Sequence, residues 1–145
     1  MTRDEIVAEA EAWIGTPYRH QASTKGAGCD CLGLLRGVWR AAYGAEPEAI
    51  PPYTADWDEV EKTEALWRAA ERHLVARRPG EMGSGDVLLF RMRAGAVAKH
   101  LGIYDGRGRV PRFVHAYSGH GVVASSLSEP WRRRIVGVFA FPGAL

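Results

Sequence analysis

Apolar residues in the first half of this chain recur at three- and four-residue intervals, whereas in the second half they alternate within short runs. Ile6, Val7, Ala10, Trp13 and Ile14 form one side of a helix expected over 4–14, closed by Gly15-Thr16-Pro17. A second stripe, Leu34, Leu35, Val38, Trp39 and Ala42, begins at Cys31 and predicts a helix that stops near Tyr43-Gly44. The proline-bearing stretch 46–53 reads as a loop. Trp57, Val60, Trp67, Ala70 and Leu74 then space a third helix from Asp56 to Leu74, with Asp58 and Glu59 near its positive end.

Beyond Arg77-Arg78-Pro79-Gly80 the period changes. Val87–Arg91, His100–Tyr104, Arg112–Ala116, Gly121–Ala124 and Ile135–Phe141 are short β-type runs separated by glycine-rich turns. Helices followed by strands predict an α+β fold in one domain, residues 1–145, with N-terminal helices packed on a C-terminal antiparallel β-sheet of about five to six strands. No internal repeat or low-complexity linker interrupts it.

Composition narrows the function classes. With 145 residues, 46% hydrophobic and 25% charged, the chain is that of an ordinary globular domain with a real core. A formal charge of +2 gives no footprint for nucleic acid, and Arg132-Arg133-Arg134 reads as a solvated edge. No apolar run is long enough to span a bilayer, and Met1 leads straight into an amphipathic helix without an apolar signal region. The expectation is a soluble chain without a secretory address of its own or membrane insertion. Cys29 and Cys31 are too close to bridge without strain, and nothing completes a zinc site, so neither a disulfide, a metal nor a cofactor is expected.

The chemistry lies in the cysteines and histidines. Gly28-Cys29-Asp30-Cys31-Leu32-Gly33-Leu34 places Asp30 as helix N-cap and Cys31 in the first turn, where unsatisfied N–H groups and the helix dipole favour thiolate. Cys29, in the approach to the helix, reads as a packed residue. His100 and His115 each sit in a β-type run, and Asp105-Gly106-Arg107-Gly108 between them signals a hairpin turn rather than a phosphate or calcium loop. A tight turn centred on Arg107-Gly108 sets His100 directly opposite His115, on one face, with Cβ atoms roughly 5 Å apart. A one-residue slip would put the two rings on opposite faces.

This arrangement suits nucleophilic catalysis. Cys31 would attack, His100 would take its proton and later protonate the leaving amine, and His115 would fix the tautomer of His100. Backbone N–H groups at the helix start would hold the oxyanion, and Gly33 would let the histidine strand approach. His20 is placed to line the cleft. His120, beside glycines in a turn, reads as solvent-exposed, with a third-member or substrate-contact role as the runner-up. His73, at a helix end, has no chemical role.

Five motifs in order, Gly15-Thr16-Pro17-Tyr18-Arg19, Asp30-Cys31-x-Gly33-Leu34, Gly85-Asp86-Val87-Leu88-Leu89-Phe90, His100-Leu101-Gly102-Ile103-Tyr104 and Val114-His115-Ala116, make the chain similar to the NlpC-type cell-wall peptidases. These are papain-like cysteine hydrolases that cut peptidoglycan stem peptides, commonly at a D-γ-glutamyl–diamino-acid bond. The resemblance spans nearly the whole chain. It implies a papain-like NlpC-type fold, a nucleophile at Cys31, a base at His100 and a third polar residue at His115. It further implies a site-lining tyrosine at Tyr18 that assists the oxyanion and a substrate-contacting aspartate at Asp30. The chain departs from the family pattern at Leu32, where a serine is usual, and at His20-Gln21-Ala22, where Gly-Gly follows Tyr-Arg.

The run Tyr18-Arg19-His20-Gln21-Ala22-Ser23 with Asp30-Cys31-Leu32-Gly33-Leu34 resembles the branch found in phage tails and gene-transfer agents. That likeness implies a tail-tip enzyme made in the cytoplasm and carried in a virion-like particle to the cell wall. A tail hub or baseplate protein would be its partner, held by Arg132–Arg134 or the 57–74 helix. The alternatives are a non-catalytic tail-tip adaptor, which has no need of Cys31, His100 and His115 together, and an acyltransferase of the related lipid-modifying group, in which the histidine precedes the cysteine.

Overall fold

The computed structural model describes residues 1–50, 53, 58 and 62–144. Helix α1 spans Arg3–Glu11 and opens with a capping box: Thr2 Oγ1 accepts from the Glu5 amide at 3.1 Å, and the Glu5 carboxylate accepts from the Thr2 amide at 3.0 Å. It ends at Glu11 rather than Ile14. Trp13 still turns into the core, but Ile14 is exposed and not part of the buried stripe. Helix α2, Cys31–Tyr43, starts and stops where the pattern sets it, with Asp30 as N-cap and Gly44 beyond its end.

Helix α3 is shorter than expected, Ala65–His73. Asp58, Lys62 and Glu64 hold positive φ angles of 64°, 54° and 56°, which no helix accommodates. Asp58 nevertheless serves the helix from the preceding loop. Its carboxylate accepts from the amides of Thr63 and Ala65, both at 2.8 Å, satisfying an orphan donor of the first turn. Trp57, Glu59 and Val60 lie outside the described residues.

Strands β1, Ser23–Thr24, and β2, Gly28–Cys29, form a two-stranded ladder leading into α2. Six more build the main sheet: β3, Val75–Arg77; β4, Val87–Phe90; β5, His100–Asp105; β6, Arg112–Tyr117; β7, Gly121–Ser126; and β8, Ile135–Ala140. Their order is β3-β8-β4-β5-β6-β7, antiparallel throughout. A one-turn helix α4, Glu129–Arg132, precedes β8. This is the α+β architecture expected from the chain, with α1, α2 and α3 ahead of the main sheet and α4 inserted before its last strand. No helix among the described residues is long and apolar enough to cross a membrane.

The sheet is covered on both sides. Val87, Leu89, Leu101, Ile103 and Val114 pack against α1 and α2, while Leu88, Phe90 and Phe113 form a second core with Leu127 and Val138. Both faces of β4 are therefore buried, which explains its unbroken apolar sequence. Asp86, fully buried just before β4, accepts from Arg3 at 2.6 Å and from the Gly83 amide at 2.8 Å, and it pairs with Arg77 at 3.1 Å. This one carboxylate ties α1 to β3 and β4. At one sheet edge, the amide of Val122 donates to Thr16 and its carbonyl accepts from Gly15, at 2.9 and 3.0 Å. At the other edge, β3 has only three residues.

The β5–β6 hairpin does not use a two-residue turn. Ile103 pairs with Val114 and Asp105 with Arg112, so the register is displaced by two residues from the one centred on Arg107-Gly108, and 106–111 form the connection. The Asp105 carboxylate selects this register. It accepts from the Arg107 amide at 3.0 Å and pairs across the strands with Arg112 at 3.2 Å. In the tighter register it would have faced Val110, which is exposed here. His100 and His115 are thus diagonal rather than directly opposed, but an even displacement keeps them on one face.

Candidate active site

Asp30 and the two strands β1 and β2 place Cys31 at the first residue of α2. One Asp30 oxygen accepts from the Gly33 amide at 2.7 Å. The other accepts from the Gln21 amide at 2.8 Å and from the Tyr53 hydroxyl, with His20 Nδ1 at 3.9 Å. Asp30 is only 3% exposed, so its carboxylate works chiefly as a clamp that holds the 18–22 loop, Tyr53 and the helix start together. Gly33 makes this possible, because a Cβ there would lie 1.9 Å from the Ala22 carbonyl oxygen. Its close neighbour is that loop and not the histidine strand.

A cleft of about 540 Å³ opens at the helix start, and Tyr18, His20, Asp30, Cys31 and His100 all line it. Tyr18 is held there by a parallel bridge to Cys29. His20 is an exposed wall residue whose Nε2 donates to the Tyr53 carbonyl at 2.7 Å. Leu32 and Leu66 supply the apolar side of the cleft and also border a second, apolar cavity between α2, α3 and the sheet. Among the described residues no group of three His, Cys, Asp or Glu is arranged to hold a metal ion.

Cys31 Sγ lies against the strand start, donating to the Lys99 carbonyl at 3.5 Å. Burial, and next the charge of Asp30, push its thiol up to about 12, against the smaller opposing pull of the Leu101, Leu32 and Cys31 amides. The expected thiolate is therefore not the resting form. Helix-start donors favour it, but desolvation in the cleft outweighs them. Cys29 is fully buried, its thiol pushed to about 11 by burial, as suits a packed residue.

The two imidazoles meet. His100 Nε2 and His115 Nδ1 are 2.7 Å apart, their rings nearly perpendicular at 76°. Burial holds His100 down at about 4 and His115 at about 3, so both are neutral near pH 7. His115 is fully buried, and the strand beneath it is Gly102, where a Cβ would come within 2.8 Å of the Phe113 ring and 3.1 Å of His115 Cβ. With Nε2 of His100 committed to His115, the ring nitrogen left for Cys31 is Nδ1.

Sequence reasoning missed three groups here. Trp131, on α4, packs edge-on against His115 at 5.3 Å and lies 5.8 Å from His100 between ring centroids. Ser128-Glu129-Pro130 is a readable helix start, yet nothing local sets Trp131 over the histidines. Tyr53 reaches the site from a loop, and Ser125 lies beyond the expected end of its strand. His120 is exposed, stacked on Tyr117 with centroids 5.3 Å apart, and is not the group that meets His100. His73 pairs with Glu48 at 3.2 Å, away from the cleft.

A helix-borne thiol beside paired strand imidazoles, on helices packed against an antiparallel sheet, places the frame in the papain-like α+β class. Residues 15–140 match the NlpC/P60 family, and the chain belongs to it. It is 34% identical over 133 residues to the murein DD-endopeptidase MepS/murein LD-carboxypeptidase of Escherichia coli K12, covering 91% of this chain and 59% of that protein. It is also 34% identical over 137 residues to the gamma-DL-glutamyl hydrolase of Bacillus subtilis, covering 94% of this chain and 29% of that one. The chain thus spans less than two thirds of the length of either relative. Among solved structures, the NlpC/p60 domain of the peptidoglycan hydrolase SagA superposes with a TM-score of 0.62 at 24% identity, over 97% of this chain and all of that domain. An NlpC/P60 family protein from Bacillus cereus gives 0.66 at 18% identity, over 95% of this chain and 39% of that one. Both show the same fold.

Proposed function

We propose that this chain is a cysteine peptidase that hydrolyses an amide bond in the peptidoglycan stem peptide, with Cys31, His100 and His115 as its catalytic triad. The observation that carries the reading is the placement of Cys31 at the mouth of α2, in one cleft with His100, whose far nitrogen is held by His115 at 2.7 Å. The family and the names of the two relatives, a murein endopeptidase and a γ-glutamyl hydrolase, support the substrate class.

Catalysis starts from a neutral thiol and a neutral imidazole. As the scissile carbonyl enters, His100 Nδ1 takes the thiol proton and Cys31 Sγ bonds to the carbonyl carbon. The carbonyl electron pair moves onto oxygen, held by helix-start amides and by the Tyr18 phenol, which burial keeps protonated with a pKa raised to about 12. The C–N bond then breaks, and His100 gives the proton to the leaving amine. Water, deprotonated by the same nitrogen, hydrolyses the thioester and restores the thiol. The bond we assign is D-γ-glutamyl–diamino acid.

We further assign the chain to the tail tip of a phage or phage-like particle, made in the cytoplasm and delivered to the wall, with a tail hub or baseplate protein as partner. The support is the Tyr18–Ser23 and Asp30–Leu34 sequence run. The test of activity is digestion of purified sacculi by the wild type and Cys31→Ala, with products identified by mass spectrometry. We expect a new amino terminus on the diamino acid with the wild type only. Equal products from both proteins would overturn the enzymatic reading. Copurification with particle tails tests the location.

A further inference from the structure

Ser125 takes no part in the steps above. It lies on β7, where its register partner is Phe113, and its Oγ stands 2.8 Å from Nε2 of His115. With the 2.7 Å contact on the other side of that ring, His100, His115 and Ser125 form an oblique row across β5, β6 and β7. Residues of one parity on each strand share a face, so the row is a product of the sheet itself.

We propose that Ser125 is a positioning residue that fixes the tautomers of both histidines and thereby leaves Nδ1 of His100 open as the base. This assignment rests on the reading of Cys31 and His100 as nucleophile and base. If His100 Nδ1 is to take the thiol proton, the neutral ring carries its hydrogen on Nε2 and donates to His115 Nδ1. His115 must then carry its own hydrogen on Nε2, in a ring fully closed to water. Ser125 Oγ is the acceptor within reach. It is half-buried and can turn its own hydrogen away, so accepting leaves nothing unsatisfied.

The opposite chain is equally closed by geometry and is catalytically wrong. Were Ser125 to donate to His115 Nε2, His115 would donate from Nδ1 and His100 would carry its hydrogen on Nδ1, facing the thiol with no lone pair. The hydroxyl therefore decides at a distance which end of the row holds the vacant lone pair. Phe113, Tyr117 and Trp131 flank His115 with their rings, and His100 and His120 are the titratable groups acting on its charge.

The test uses protein labelled with ¹⁵N-histidine and three variants, Ser125→Ala, Ser125→Thr and Ser125→Val, the last two alike in shape but differing in the hydroxyl. We expect Nε2–H tautomers for His100 and His115 in the wild type and Ser125→Thr, and mixed tautomers in Ser125→Ala and Ser125→Val. On purified muropeptides, kcat should fall about tenfold in Ala and Val, the scale of one modest hydrogen bond, with KM unchanged and Thr restoring the wild-type value. Nδ1–H on His115 in the wild type would overturn the assignment, as would wild-type tautomers and kcat in both Ala and Val. If the wild type cut no peptidoglycan, the catalytic reading would fall, while the tautomer comparison would still decide the role of Ser125.

Discussion

The carboxylate of Asp30 caps α2 and, one residue from the thiol of Cys31, helps to hold that thiol in its protonated form. The two effects separate in Asp30→Asn, which keeps an acceptor for the Gly33 amide but removes the charge. Loss of a nearby negative charge favours thiolate, so the thiol pKa should fall. Iodoacetamide should then label Cys31 severalfold faster at mildly alkaline pH than in the wild type, whose rate should climb between about pH 7 and 10 without a neutral plateau. A plateau near neutrality in the wild type would contradict the buried, neutral thiol.

Gly102 leaves the space into which His115 and Phe113 settle. Gly102→Ala places a methyl group against both, an overpacking that costs about 1–3 kcal/mol. Urea unfolding should show that loss, and turnover measured under folding conditions should fall further than stability alone explains, because His115 is displaced from His100. A variant with wild-type turnover would show that His115 has room to spare.

Stability should fall in mild acid. His100 and His115 have folded pKa values lowered to about 4 and about 3, below the unfolded value near 6.5. The unfolded chain therefore binds more protons between these limits. Their contribution is complete above about pH 6.5 and is lost as pH falls towards 4 and 3, together on the order of a few kcal/mol. Urea midpoints measured from pH 7 to pH 4 should decline accordingly, and His115→Asn should show a flatter decline.

Asp86 joins α1, β3 and β4 through Arg3, Arg77 and the Gly83 amide. Asp86→Ala leaves two guanidinium groups without their buried partner. The expected loss is about 3 kcal/mol, the lower end for breaking a buried pair, because both arginines retain some solvent contact. Thermal melts read it directly, and a change below 1 kcal/mol, roughly a surface-mutation effect, would show that the network contributes little.

Much of this frame is legible along the chain. Helix α2 and five strands follow from the spacing of apolar residues; Cys31 and His100 stand where their elements begin, and His115 is found through its hairpin with His100. The hairpin register is less legible, because the Asp105 carboxylate chooses Arg112 over a tighter turn. Helix α3 starts late because three residues before it take left-handed backbone angles. Trp131, Tyr53 and Ser125 reach the site only through tertiary folding, so no local pattern announces them. The protonation of Cys31 depends on how deeply the sulfur sits, a property of the packed molecule alone.

The borders of the six-stranded sheet have a practical meaning. The 15–16 segment occupies the outer hydrogen-bonding groups of Val122, and β3, on the far side, is too brief to template another chain. With one margin partly occupied and the other only three residues long, adding copies of the chain edge to edge gains little, and the protein should stay monodisperse when stored at high concentration.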